Sequence, residues 1–282
     1  MEQSMATNDT RSSNDRSRLA LSEVKAKQQQ TWAAGDYAQV GTTLQMVGEQ
    51  LAESLDMRPG SSVLDVAAGN GNFALAAARR MCQVTAVDFV PQLLEKAKIR
   101  ALAEGYDLRF QLADAESLPL PDNSFAAVGS VFGVMFTPDH PAAATELRRV
   151  CQPGGKIGLA NWTPEGFIGQ VFQIISRYRP NPLPAPSLWG TRDYLTQLFE
   201  PGPGGMQVDK RTYLFRHRSP AHWLAFFRAV YGPVRNAFAA LAPAEQAGLE
   251  TDLLALLHSM NIARDGSLKV PAEYLQIMID VD

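Results

Sequence analysis

The sequence has little cysteine and no long apolar run. Cys82 and Cys151 are the two cysteines of its 282 residues, and they stand far apart, outside any Cys-x-x-Cys or Cys/His grouping. We therefore expect neither a disulfide framework nor a metal site. No stretch approaches the roughly 18 to 20 apolar residues of a membrane span, and the polar N-terminus lacks the apolar core of a signal peptide. These absences predict a cytoplasmic protein.

Charge of either sign is also limited. The chain carries 26 Lys and Arg against 29 Asp and Glu, a formal net charge of −3, and has no long basic run. Nucleic acid and acidic membrane surfaces are therefore poor candidate partners, and a small molecule is the expected ligand. The oligomeric state cannot be read from the sequence, and a homodimer is one candidate.

The N-terminal part divides into a polar leader and two helices. Residues 1–17 are rich in Ser, Asn, Asp, Thr and Arg, which predicts a disordered leader before a single domain over residues 18–282. A helix is predicted from Leu19 to about Trp32. A second helix is predicted by apolar residues at spacings of three and four, namely Leu44, Val47, Leu51 and Leu55.

The middle of the chain alternates between short apolar runs and helical segments. Such alternation predicts an α/β fold, a parallel sheet with helices on both faces. Beyond Trp162 the alternation stops, and we predict a proline-rich loop, a short helix, two further strands and two apolar helices. The strands are predicted at 63–66, 84–87, 108–112, 126–131, 156–161, 208–215 and 273–281, and the late helices at about 191–199, 220–231 and 233–260.

A glycine-rich turn follows the first strand. Gly69-Asn70-Gly71 stands between a strand and a helix, where backbone N–H groups can approach a polar or anionic ligand. Asp88 ends the next strand, seventeen residues after Gly71. Read as Gly69-x-Gly71-x-x-Ala74, the turn also fits a dinucleotide fingerprint. The alternative is a tight turn whose glycines only supply positive φ.

Hydride transfer finds no support elsewhere in the sequence. The Tyr-x-x-x-Lys pattern expected of a short-chain reductase is absent, because no tyrosine is followed by lysine four residues later. An NAD(P)-dependent oxidoreductase therefore remains the alternative reading of the glycine-rich turn rather than the preferred one.

Four segments, in order, resemble the class I S-adenosylmethionine-dependent methyltransferases. Val63-Leu64-Asp65-Val66-Ala67-Ala68-Gly69-Asn70-Gly71 is similar to the motif V-L-D-x-G-x-G-x-G. Thr85-Ala86-Val87-Asp88 resembles the acidic end of the second strand. The segment 113–125 resembles D-A-E-x-L-P-x-x-D-x-S-F, and the segment 146–155 resembles E-x-x-R-V-L-x-P-G-G. The resemblance covers about residues 44–162 and is closest to a small-molecule subgroup related to quinone-biosynthesis methyltransferases.

The resemblance implies both a fold and a reaction. The fold would be Rossmann-like and seven-stranded, mostly parallel with an antiparallel last strand at about 273–281, a cofactor-binding core at 44–162 and an inserted helical lid at about 218–270. The reaction would be direct in-line methyl transfer from S-adenosylmethionine to an O, N or C nucleophile of a small, largely apolar molecule. The rivals are the NAD(P)-dependent oxidoreductase and a catalytically silent methyltransferase-like binding or assembly subunit.

The resemblance also implies cofactor-binding residues. Gly69, Ala67 and Asn70 would back the methionine part, and Asp88 would accept hydrogen bonds from both ribose hydroxyls. Phe89 would lie beside the adenine. Ala67 stands where the family usually has its first glycine, which is tolerable if this residue keeps a negative φ.

Further site residues follow from the same positions. Asp114 would accept a bond from the adenine amine, with the Ala115 backbone N–H beside the ring, and Asp65 would organise the loop as well as touch ligand. Ser130 would line the place where the methyl group meets the acceptor. Tyr37 would reach the site from the N-terminal segment that folds over the cofactor in such enzymes.

Two further expectations concern the acceptor side. His140, just after the fourth strand, is the single candidate for a general base, although a helix-start role is the alternative. Trp223 and Phe227, four residues apart on one predicted helix, are expected at the acceptor pocket or its wall.

Overall fold

The described part of the chain begins with three helices that lead into the sheet. The structure, a computed structural model, describes residues 21–200 and 204–282, so the leader predicted at 1–17 lies outside the described residues. The first predicted helix is α1, described over 21–33, and the second is divided at Leu44 into α2 (Tyr37–Thr43) and α3 (Gln45–Ser54). Val47 and Leu51 of α3 are buried, as their spacing predicts.

Seven strands form one mixed sheet with the order β3-β2-β1-β4-β5-β7-β6. β7 pairs antiparallel with both β5 and β6, and the remaining pairs are parallel. The predicted Rossmann-like fold with an antiparallel last strand is thereby confirmed. The strands are β1 (Ser62–Val66), β2 (Gln83–Asp88), β3 (Arg109–Leu112), β4 (Phe125–Val131), β5 (Cys151–Trp162), β6 (Met206–His217) and β7 (Leu268–Asp280).

Helices cover the sheet and fill the connections between strands. β1 is buried from Val63 to Val66, as expected of a parallel strand covered on both faces. None of the helices in the described ranges is long and apolar enough to cross a bilayer. The remaining helices are α4 (Asn72–Arg79), α5 (Pro91–Ala103), α6 (His140–Val150), α7 (Phe167–Tyr178), α8 (Arg192–Phe199), α9 (Pro220–Val230), α10 (Gly232–Ala239) and α11 (Pro243–Met260).

Two helix predictions are wrong. Helix α7 lies in the region after Trp162 where we predicted no helix before residue 191, and it buries Phe167, Val171 and Ile174 at helical spacing. The single helix predicted at 233–260 is two helices, since Pro243 begins α11 after a break. Proline is favoured at a first helical position, where it has no N–H to leave unpaired.

The carboxyl ends of β1, β2 and β4 meet at one edge of the sheet, the position where open α/β sheets bind ligands. The loop after β1 and the end of β2 belong to the segments that carry the motif resemblance. Helices α9 to α11 lie between β6 and β7 in the chain, where the sequence predicts the lid insertion.

Candidate functional site

A cleft of about 900 Å³, open to solvent, lies at the carboxyl ends of β1, β2 and β4. We call it the cofactor cleft. Nine of the ten predicted cofactor-binding residues line it: Tyr37, Asp65, Ala67, Gly69, Asn70, Asp88, Phe89, Asp114 and Ala115.

The glycine-rich turn has the backbone conformation that its glycines predict. Gly69 has φ 57° and Gly71 has φ 82°, both in the left-handed region that glycine adopts without strain. A Cβ on Gly69 would lie 3.2 Å from Cε1 of Tyr37, so the missing side chain also lets this ring approach. Ala67 has φ 53°, which corrects the expectation of a negative φ. An L-residue in this conformation is strained by about 1 to 2 kcal/mol.

Asp88 holds the turn in place. Its Oδ2 accepts from the Gly69 backbone N–H at 2.8 Å, and its Oδ1 accepts from that of Val90 at 2.8 Å. Burial raises its pKa to about 6. Each oxygen of a carboxylate can accept more than one bond, so the group can still receive ligand donors. Replacing Asp88 by alanine would leave two backbone donors without their acceptor.

Asp65 and Asn70 connect the turn to the surrounding helices. Asp65 Oδ2 accepts from the Ala74 N–H at 2.8 Å in the first turn of α4, and burial raises the pKa of this carboxyl to about 8. The Asn70 carbonyl accepts from Arg100 of α5 at 2.6 Å. The loop is therefore fixed before any ligand arrives, which reduces the entropy that binding must overcome.

Asp114 is already engaged by the protein. Its Oδ1 accepts from the Glu116 backbone N–H at 2.9 Å, and the Lys25 ammonium lies 2.5 Å from its Oδ2. Lys25 also lies 2.5 Å from a Glu116 carboxylate oxygen. A ligand amine at Asp114 would share this carboxylate with Lys25, a partner that the sequence did not predict.

Helix α1 forms a roof over the cofactor cleft. Lys25, Gln28 and Trp32 line the cleft. The Gln28 amide donates to the Phe136 carbonyl at 2.9 Å, and the Gln29 amide donates to that of Phe89 at 2.5 Å. Sequence reasoning placed α1 without assigning these side chains to the site. Lys25, Gln28 and Trp32 are spaced by three and four residues, so they share one face of the helix. Two of the three are polar, and a search for apolar periodicity therefore does not find this face.

A second, smaller cavity, which we call the acceptor cavity, adjoins the cofactor cleft. In the described part of the chain, no acidic or basic side chain lines it. Phe227 lines it as predicted, whereas Trp223 stands behind Phe227, with the two rings stacked at 4.0 Å. Both cavities share Trp32, Tyr37, Leu44, Phe132 and Phe136; Val40, Trp162, Ile168, Phe215, Phe227 and Tyr231 complete the acceptor cavity.

Ser130 and His140 line neither cavity, which corrects both predictions. The Ser130 hydroxyl donates to the Val66 carbonyl at 2.7 Å and accepts from the Val134 N–H at 3.1 Å, so it joins β1 to the loop after β4. His140 is fully buried, with Nδ1 2.9 Å from the Tyr194 hydroxyl. Burial lowers its pKa to about 4. The helix-start alternative for His140 fits, since α6 begins there.

Comparisons with known proteins agree with this geometry. Residues 63–155 match a family described as a methyltransferase domain. An uncharacterised protein of Mycobacterium tuberculosis is 41% identical over 213 residues, 74% of this chain and 78% of that protein. A demethylmenaquinone methyltransferase of Deinococcus radiodurans is 42% identical over 127 residues, 44% of this chain and 52% of the relative. The YcgJ protein of Bacillus subtilis superimposes with a TM-score of 0.57 at 18% identity, covering 84% of this chain and 99% of that one.

Residues 63–155 form a methyltransferase domain, and the seven-stranded fold around it is that of the class I S-adenosylmethionine-dependent methyltransferases. The activity of such a domain is methyl transfer, for which S-adenosylmethionine is the expected cofactor. The residues of the cleft fit such a ligand: Gly69 adds no side chain to the wall, and the Asp88 and Asp114 carboxylates line the same space.

Proposed function

We propose that this enzyme methylates a small, neutral, largely apolar molecule that binds in the acceptor cavity. The observation that carries the proposal is the contrast between two adjoining cavities: the cofactor cleft is lined by carboxylates, whereas apolar and aromatic side chains line the acceptor cavity. A charged acceptor would lose its hydration there without gaining a partner of opposite charge. The Deinococcus radiodurans relative is named for demethylmenaquinone, which supports an apolar acceptor.

Different residues of the cleft would contact different parts of the cofactor. We assign the ribose hydroxyls to Asp88, the methionine part to the turn at Ala67, Gly69 and Asn70 together with Asp65, and the adenine to Phe89, Asp114 and Ala115. Tyr37 would lie over the turn, next to Gly69. The bound cofactor supplies a methyl group already activated on a sulfonium.

This chain would hold the cofactor and the acceptor in position rather than supply a general acid or base. His140 is buried behind the site, and among the described residues no carboxylate, imidazole or amine lines the acceptor cavity. Holding two reactants in line can lower a barrier by roughly 7 to 11 kcal/mol. The acceptor atom must then be nucleophilic without help from a charged base, as a neutral amine, an enol carbon or an acidic hydroxyl is.

A labelled-transfer assay tests the proposal. The enzyme is incubated with methyl-labelled S-adenosylmethionine and a metabolite extract separated into apolar and aqueous fractions. We expect label in a small molecule of the apolar fraction, and much less with Asp88→Asn, which weakens the proposed ribose contact. Cofactor binding without any transfer would instead favour a silent binding subunit, and tighter binding of NAD(P) by calorimetry would favour an oxidoreductase.

Two sequence-based expectations remain proposals alongside this one. We propose that the enzyme works in the cytoplasm, and a homodimer is the candidate assembly. Cell fractionation tests the first, and light scattering on the purified chain tests the second.

A further inference from the structure

The acceptor cavity contains two phenols in otherwise apolar surroundings. Tyr37, the first residue of α2, and Tyr231, which follows α9, both line it, and their ring centroids are 6.3 Å apart. Each ring also packs against Trp32, at 5.5 and 5.7 Å. Within residues 21–200 and 204–282, neither phenol has a hydrogen-bond partner. By contrast, the Tyr274 hydroxyl donates to Gln50 at 2.9 Å, and that of Tyr213 donates to the Thr43 carbonyl at 2.8 Å.

Polar groups that are buried in proteins are hydrogen-bonded as a rule. Val40, Leu44, Ile168 and phenylalanine rings make up much of the remaining wall, and they offer no acceptor or donor to these hydroxyls. A molecule that enters the cavity can therefore supply the hydrogen-bond partner that these neighbours do not.

We propose that Tyr37 and Tyr231 form a hydroxyl pair that recognises a hydroxyl or carbonyl oxygen on a neutral, ring-containing methyl acceptor. The inference rests on the proposed function and names the chemistry by which the acceptor is held. Tyr37 also lines the cofactor cleft, so the pair marks the boundary between the two cavities. An oxygen bound there would place the neighbouring atoms of the acceptor beside the cofactor cleft.

The two phenols act as positioning residues rather than bases. Burial raises the pKa of Tyr37, and the nearby charges of Asp88 and Asp65 raise it further. Burial, with a smaller effect of Tyr37, also raises the pKa of Tyr231. Both side chains therefore stay protonated near neutral pH and can donate as well as accept.

A cationic ligand is the main competing occupant, because aromatic rings attract ammonium groups. The described lining of the acceptor cavity includes no carboxylate that would accompany such a charge. The Trp32 ring meets Tyr37 and Tyr231 edge to face, at 88° and 77°. The three rings thus pack on one another, and the hydroxyls are the polar groups that the two tyrosines add to the cavity.

Binding of simple aromatic probes tests the proposal without requiring turnover. Equilibrium dialysis of the full chain, followed by probe fluorescence, gives Kd values for 2-naphthol, naphthalene, 2-naphthoate and 2-naphthyltrimethylammonium. We expect Tyr37→Phe and Tyr231→Phe each to raise the Kd of 2-naphthol by about three- to tenfold, the effect of one lost hydrogen bond. The Kd of naphthalene should stay within about twofold of the parent value. Tyr213→Phe is the matched control, because its hydroxyl bonds to a backbone carbonyl outside both cavities.

Several outcomes would overturn the proposal. These are an unchanged 2-naphthol Kd in both variants, an equal loss for naphthalene and 2-naphthol, tighter binding of either charged probe, or no binding of 2-naphthol at all. Melting temperatures within about 2 °C of the parent show that the variants fold, since each substitution removes a single oxygen. If 2-naphthol discrimination holds while label transfer to extracts fails, the proposed function fails and the hydroxyl pair stands.

Discussion

Ala67→Gly should stabilise this enzyme, against the usual effect of adding a glycine. Ala67 has φ 53°, and its half-exposed methyl group lies beside Gly133 in the wall of the cofactor cleft. Glycine would relieve about 1 to 2 kcal/mol of strain. It would also increase the freedom of the unfolded chain, which lowers stability by about 0.4 to 1 kcal/mol. The difference leaves a net gain of about 0.8 kcal/mol, or roughly 2 to 3 °C in Tm.

Calorimetric unfolding of two neighbouring variants checks this reasoning. Ala68 also lines the cleft, but its φ is not positive, so Ala68→Gly should lose about 0.4 to 1 kcal/mol with no strain to relieve. Opposite signs for the two variants are expected. Equal destabilisation would mean that the backbone at Ala67 is not strained. The Kd for S-adenosylmethionine should not weaken in Ala67→Gly, because the change removes a methyl group from the ligand side of the wall.

Four more predictions follow from the same geometry. Asp88→Asn keeps one side-chain oxygen for the turn but loses the charge and turns an NH2 group towards the other backbone donor, so calorimetry should show about a ten- to hundredfold weaker cofactor Kd and a Tm lowered by several degrees; an unchanged Kd would remove the ribose assignment. Asp65 has a pKa of about 8 in the folded protein, so the free energy of unfolding in urea should fall by up to about 1.4 kcal/mol per pH unit between pH 6.5 and 8. That slope should vanish in Asp65→Asn; its persistence there would assign it to another group. His140→Ala should leave the pH dependence of methyl transfer near pH 6.5 unaltered, because His140 lines neither cavity, and loss of a titration there would restore it as a base. Lys25→Met should speed cofactor release in stopped-flow experiments by loosening the α1 roof, whereas Lys27→Met, on the exposed face of α1, should not; equal rates would contradict a roof held by Lys25.

The order of strands and helices was predictable because it depends on local patterns. Buried parallel strands such as β1 are short apolar runs, and a sheet edge where several of them end follows from their direction. Helix α7 was not predicted, although Phe167, Val171 and Ile174 have helical spacing. The proline-rich stretch that follows it favoured the prediction of a loop for this region. The break before α11 shows that a helix-start signal at Pro243 outweighs continuous apolar character.

The cofactor cleft was predictable for a related reason. The motif residues lie at a strand end or in the turn after it, namely Asp65, Gly69 and Asp88. Because parallel strands end at the same edge of the sheet, the motif predicts that these residues lie near one another. The side chains after β4 were harder to place. Phe132 adopts φ 52°, and a short 3-10 helix follows at Val134–Phe136. The apolar sequence of this segment does not predict such a turn. Ser130 consequently bonds backbone groups instead of facing ligand.

The acceptor cavity could not be predicted from the sequence because its walls come from distant parts of the chain. Trp32 and Tyr231 pack at 5.7 Å although 199 positions separate them. The Asp36 N–H donates to the Val230 carbonyl at 2.9 Å, and a Cβ on Gly35 would lie 2.6 Å from the same carbonyl oxygen, so the turn after α1 is fitted to the end of α9. Periodicity within either helix cannot reveal this pairing. Because the turn seats α1 against α9, a displacement at this junction would move Trp32, which lines both cavities, and cofactor and acceptor binding should respond to it together.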